Sequence, residues 1–104
     1  MRAETLKGHL DALVLATLRG GPAHGYAVIE ELKRRSAGAF DLAEGTVYPV
    51  LHRLEAEGLL SSEWSTVAGR RRRVYRLTRR GEKALAARET EWRAFSNAVE
   101  AVLG

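Results

Sequence analysis

The side chains best suited to chemistry lie in one short stretch, EGTVYPVLHRLEAEGLL, residues 44–60. At helical spacing Val47, Val50, Leu51 and Leu54 form an apolar stripe, which turns Thr46, Tyr48, His52 and Arg53 elsewhere. A hydroxyl, a phenol, an imidazole and a guanidinium on the open side of one helix can donate to phosphate oxygens or meet base edges. They do not make a hydrolytic or transfer site, for the chain offers no activated nucleophile, no carboxylate pair and no phosphate loop. Arg53 has a second use, an ion pair with Glu57 one turn on. Imidazole chemistry would make any contact through His52 sensitive to mild acid.

A second concentration of chemistry follows. Between Trp64 and Gly81 lie seven arginines, at 70, 71, 72, 73, 76, 79 and 80, and no acid. The chain as a whole is only +4, so the remainder is net acidic and the basicity is local. Such a patch is either a solvated charge run or a surface that meets phosphates. Arg70 and Arg71, at the expected tip, are better placed for phosphates or a minor groove than Arg73 or Arg76, which sit deeper in the strand, and Arg72 is counted with them as a DNA-binding candidate.

Other chemistries are excluded more simply. There are no cysteines, hence no disulfides or thiol reactions, and His9, His24 and His52 match no zinc spacing. Neither a metal nor a cofactor is expected. No apolar run approaches the roughly 18 residues of a membrane span, and Lys7, His9 and Asp11 interrupt the N-terminal stretch where a signal peptide would be continuously apolar. The expectation is a soluble, cytoplasmic protein, nucleoid-associated through DNA. Its 104 residues, 45% of them hydrophobic, suffice for one core.

The elements that must position these groups are punctuated clearly. A first helix is expected from about Leu6 to Leu18, ended by GGPAHG, and a second from about His24 to Arg35, packing Tyr26, Val28, Ile29 and Leu32. In the connector AGAFDLA, Phe40 and Leu42 alternate with polar or small residues, which allows a one- or two-residue strand. The third helix ends at Gly58. Its start is open: from Glu44, Pro49 falls past the first turn and strips the Gly45 carbonyl of its partner; from Thr46, it sits where the absent donor costs nothing. Glu44 beside the positive helix end favours the earlier start. LLSSEWS and RRVYRLT read as strands around the turn TVAGRR, with Tyr75, Leu77 and Trp64 toward the core and Arg72 and Arg76 outward. Thr78 can cap a final helix of about 25 residues.

The expected class is therefore mainly α with a small β-hairpin. Three helices followed by a hairpin with a cationic tip is the order of a winged helix-turn-helix, in which the third helix enters the major groove and the hairpin touches the backbone. Residues 1–77 would form this DNA-binding domain and residues 78–104 a C-terminal dimerisation helix. In that helix Leu85, Trp92 and Val99 recur every seven residues with Phe95 and Val102 offset by three, a seam broken on its N-terminal side by Arg88. A second copy of the chain is the economical partner.

The sequence also resembles the PadR-like transcriptional regulators over nearly its whole length. The matching residues are HGY at 24–26, GTVYPVLHRLEAEGLL at 45–60, RVYRLT at the end of the hairpin, and Gly81. The resemblance implies a homodimeric repressor that binds double-stranded operator DNA with Tyr48 among its contacts, and that a hydrophobic or aromatic effector releases; Thr46, Pro49, His52, Arg53 and the wing arginines are the further DNA-binding candidates that spacing supplies. The short branch of the family, with one C-terminal helix, is the better likeness. For such an effector Trp92 and Phe95 are the candidate contacts; the alternative is that Trp92 simply fills the dimer core. His24 and Tyr26 are expected to set the turn and the packing between the first two helices. Ala43 departs from the pattern, standing where many relatives carry a capping serine or asparagine.

Overall fold

In a computed structural model, residues 6 and 8–104 are described; the rest of the N-terminus lies outside the described residues, and with it part of the expected first helix. The elements in order are α1 (Leu10–Thr17), β1 (Ala23–His24), α2 (Gly25–Arg35), α3 (Glu44–Ala56), β2 (Leu60–Val67), β3 (Arg70–Leu77) and α4 (Arg79–Leu103). The first helix starts later than its apolar spacing suggests, because Gly8 takes a φ of +87° and interrupts any helical run through Leu6. Leu6 is nonetheless buried.

Four helices and the sheet share one core. Val14, Leu15 and Leu18 from the first helix and the residues after it meet Val28, Ile29 and Leu32 of α2, then Val47, Leu51 and Leu54 of α3. Leu60, Tyr75 and Leu85 close the cluster. The stripe expected on α3 is thus the buried one, with Val50 packed at its margin. Tyr26 does not join it. At 54% exposed it departs from the expected packing, because along the helix it lies about 160° from Val28 and about 120° from Leu32 and so falls at the margin of the buried face.

The third helix begins at Glu44, the earlier of the two starts. Ala43 precedes it in an extended conformation with no side-chain cap, and its carbonyl accepts from the amides of Thr46 and Val47 at 3.0 and 3.1 Å. Pro49 therefore lies inside the helix, where the donor it lacks would have served the exposed Gly45 carbonyl. No neighbouring heavy atom comes within 4 Å of a Cβ position at Gly45.

The hairpin is longer than expected. Its ladder runs from Leu60↔Leu77 to Val67↔Arg70, so the turn is only Ala68-Gly69. Both take positive φ, 53° and 75°, as a two-residue turn matched to strand twist requires. The third strand of the sheet, in the order β1-β3-β2, is not the Phe40–Leu42 connector. It is Ala23–His24, paired antiparallel with Tyr75 and Val74. Phe40 and Leu42 instead pack partly buried against the core.

The final helix, 25 residues long, is capped as expected by Thr78, whose hydroxyl accepts from the Gly81 amide at 3.0 Å and donates to the Gly58 carbonyl at 2.7 Å. Gly81 has no room for a side chain: a Cβ there would lie 2.0 Å from the Leu59 carbonyl oxygen. Its absence lets the helix start press onto the segment between α3 and β2. Leu85 then enters the core at 2% exposure, which removes it from the expected dimer seam, since a side chain buried in its own protomer offers no surface to a partner. Arg88 donates to the Gly8 carbonyl and Arg19 pairs with Glu89, tying the first half of the helix to the body. Beyond them Trp92, Phe95, Val102 and Leu103 are exposed, and Val99 is partly so. Among the described residues, no helix is long and apolar enough to cross a membrane.

Candidate nucleic-acid interface

One groove separates α3 from the hairpin. Its lining includes Tyr48 and His52 from the helix, Arg70 to Arg73 and Trp64 from the wing, and His24, Gly25 and Tyr26 from the start of α2. A shallower depression continues along the same helix face over Glu44, Gly45, Tyr48, Pro49 and His52. Tyr48, Pro49, His52, Arg70, Arg71 and Arg72 are therefore brought onto one continuous surface. Thr46 is exposed near its edge.

Tyr48 owes its position to a glycine. A Cβ on Gly25 would fall 2.6 to 2.8 Å from the distal ring atoms and the hydroxyl of Tyr48, closer than side chains ever approach. The ring lies over the bare backbone at the start of α2, and His52 meets its edge at 6.3 Å between centroids. The HGY stretch thus joins α2 to α3 and to the wing, where packing between the first two helices was expected.

Arg53 points elsewhere. Its guanidinium makes a forked pair with Asp11 of α1, at 3.0 and 2.5 Å, and a longer contact of 3.3 Å to Glu57. The hydrogen bonds to Asp11, and then its charge, raise the Arg53 pKa further above its ordinary value. The group is a brace between α1 and α3, and it is missing from the residues that line the groove.

The arginine run is divided by its partners. Arg73 donates to Ser62 at 2.8 Å, and Ser62 in turn donates to Glu55 of α3. Arg76 reaches Glu63 across the ladder, and Arg72 contacts the His24 ring at 2.9 Å. Burial, and then the charge of Arg72, lower the His24 pKa from the ordinary imidazole value, so the ring is neutral near pH 7. Arg70 and Arg71 are exposed at the tip, with no carboxylate partner among the described residues. Within the hairpin they are the cations most available to an incoming anion.

Trp64 corrects the expectation of a core residue. It shares a hairpin face with Leu60 and Ser62, but the hairpin outgrows the body, so that face is covered at its base and open toward the tip. The indole is 56% exposed. Arg71 and Arg73 lie over it, with guanidinium carbons 4.5 and 5.2 Å from the ring centroid. Alternation identified the face; it carried no information on where the supporting core ends.

Comparison with known proteins follows the same lines. Residues 14–87 match the model of the transcriptional regulator PadR-like family. The chain is 46% identical over 81 residues to the transcriptional regulator Rv3488 of Mycobacterium tuberculosis, a match covering 78% of this chain and 70% of that one. Among solved structures it is similar to a PadR family transcriptional regulator from Eggerthella lenta, with a TM-score of 0.84, 36% identity and coverage of 96% and 86% of the two chains. A PadR family regulator from Clostridium difficile superposes with a TM-score of 0.81 at 32% identity, covering 93% of this chain and all of that one.

An exposed indole under two arginines makes a different energetic prediction from a core one. Trp64→Ala should destabilise the fold by no more than about 1 kcal/mol, the scale of exposed cation–π contacts, where truncating a core tryptophan costs about 3 to 5 kcal/mol. Urea unfolding of the variant decides between them, and a loss in the larger range would return Trp64 to the core.

Proposed function

The chain belongs to the transcriptional regulator PadR-like family, and from that premise we propose a homodimeric repressor that occupies a pseudo-palindromic operator. The observation that carries the reading is the shared groove: the Tyr48, Pro49 and His52 face of α3 and the arginine tip of the hairpin border one concave surface. With α3 in a major groove, Tyr48 donates to a phosphate oxygen, and Thr46 and His52 reach the backbone or base edges. Arg70 and Arg71 meet phosphates or the adjacent minor groove. Arg72 approaches the backbone from the outer side of the wing, and Arg53 acts indirectly, by holding α3 against α1.

Dimerisation through the second half of α4 is supported by the exposed residues there. Trp92, Phe95 and Val102 are 53%, 60% and 87% exposed, and with Val99 they continue the seven-residue seam past the point where the protomer's own core stops. A two-fold axis through this helix sets two recognition helices about 34 Å apart, one turn of DNA. Trp92 and Phe95, with ring centroids 6.1 Å apart, also offer the aromatic surface that a flat hydrophobic effector would stack on. Such an effector would release DNA by changing the spacing of the two halves.

Two measurements test this reading. If a dimer neutralises about eight phosphates, log K for a bound duplex should fall with log salt at a slope near −7. Arg70→Ala with Arg71→Ala should flatten that slope on every sequence, whereas Tyr48→Phe should weaken specific binding at nearly constant slope. Unchanged salt dependence in the double variant removes the wing from the interface.

Removal of residues 92–104 spares the core contacts of Leu85 and the Arg19–Glu89 pair. It should leave a folded monomer whose DNA affinity is lower by roughly 100- to 10,000-fold, the scale of a lost second half-site. A full-length chain that sediments as a monomer at micromolar concentration contradicts the dimer.

A further inference from the structure

His24 holds both of its ring nitrogens against N–H donors. Nδ1 lies 3.3 Å from the Ala27 amide, which it caps, and Nε2 lies 2.9 Å from Nη1 of Arg72. A neutral imidazole has one acceptor nitrogen and one N–H, an imidazolium has no acceptor, and a guanidinium carries donors only. The ring therefore cannot satisfy both neighbours. If Nδ1 keeps the cap, Nε2 bears the hydrogen and directs it at a group that already presents hydrogens. In the other tautomer, the conflict moves to the Ala27 amide.

Protonation gives no relief, because it would place a second positive charge against Arg72 and abolish the cap. Nor is a carboxylate at hand among the described residues. Arg73 and Arg76 have Glu55 and Glu63, whereas among those residues Arg72 has only the imidazole as a side-chain hydrogen-bond partner. The chain itself keeps the two groups together. His24 pairs with Val74 in the sheet, two residues from Arg72 along β3, so both side chains stand on one face of adjacent strands. Both also line the groove that contains Tyr48 and His52. What satisfies the two donors at once is an anionic acceptor with several lone pairs.

We infer that the His24 Nε2–H and the Arg72 guanidinium together form a donor pair for one phosphodiester group of bound duplex. This subsite rests on the DNA-binding reading above and adds a residue to it. With the phosphate seated, the ring settles in its Nε2–H tautomer, Nδ1 keeps the Ala27 cap, and Arg72 exchanges an imidazole for an anion. One phosphate then links the start of α2 to the wing, so the hairpin docks in a fixed relation to α3.

The test uses full-length protein and one duplex that the wild type binds. Asparagine can replace the cap through its side-chain oxygen but cannot reach the Nε2 position. His24→Asn should therefore hold the thermal midpoint while weakening DNA binding about ten-fold, the scale of a hydrogen bond to a charged group. The lost donor is neutral, so its salt slope at pH 7.5 should match wild type, whereas Arg72→Ala should lower the slope by about one per protomer. The double variant should bind little more weakly than Arg72→Ala alone, since the two groups share one phosphate.

Nitrogen-15 spectra of the wild-type imidazole supply a readout that no folding defect can imitate, with the Nε2 resonance shifting as its hydrogen meets a phosphate when duplex is added. Wild-type affinity in His24→Asn, strictly additive losses in the double variant, or an Nε2 resonance indifferent to DNA would each overturn the subsite. A wild type that binds no duplex would instead overturn the DNA-binding reading itself.

Discussion

The recognition surface depends on the packing of the Tyr48 ring over the side-chain-free backbone of Gly25. A ring whose distal atoms stand within 2.6 to 2.8 Å of a missing Cβ can be accommodated only where the residue beneath has no side chain. That contact sets how near α2 and α3 come at the groove, and it sets the direction of the phenol. Val47, Leu51 and Leu54 anchor the opposite face of α3 in the core, and Asp11 holds Arg53 from the side. The helix is thus fixed on three sides, leaving Tyr48, Pro49 and His52 as its open face.

The wing shows how one run of like charges can serve two purposes. Arg73 and Arg76 are neutralised by Glu55 and Glu63, acids that stand on α3 and on the opposing strand. These pairs add little stability while exposed, but they orient the hairpin and link it to the helix. Arg70 and Arg71 carry no such obligation. Net charge at the tip is consequently high where a polyanion would arrive and low where the hairpin meets the body. Trp64 spreads its face beneath Arg71 and Arg73, limiting the conformational freedom that two long side chains would otherwise lose on binding.

Much of this was legible in the sequence, for identifiable reasons. The 3.6-residue spacing of Val47, Leu51 and Leu54 marks a buried helix face wherever that helix lies. TVAGRR stands as a turn between two runs of alternating side chains, although pairing narrows it to Ala68-Gly69, and Thr78 stands three residues before Gly81 as a cap. What local pattern could not supply was the extent of the body. Trp64 and Tyr26 read as core residues because alternation and helical spacing say which side a residue is on, but not whether anything covers that side. Leu85 reads as part of a dimer seam because a heptad repeat is the same against a partner or against one's own first helix. Pairings distant in sequence were equally invisible, among them Arg53 with Asp11, Arg72 with His24, and the short strand at Ala23–His24. A signal for the last was present in HGY, whose glycine marks a close approach that only the fold reveals.

The most direct test is the duplex affinity of Gly25→Ala. The added methyl meets the far end of the Tyr48 side chain, which can swing aside, so the protein should stay folded with its thermal midpoint nearly unchanged. The phenol would leave its place in the groove, and affinity should fall by about ten-fold or more, the scale of a lost hydrogen bond to a charged group together with its displaced neighbours. An alanine variant that is folded and binds DNA as tightly as the wild type would contradict the claim that this contact positions the recognition surface.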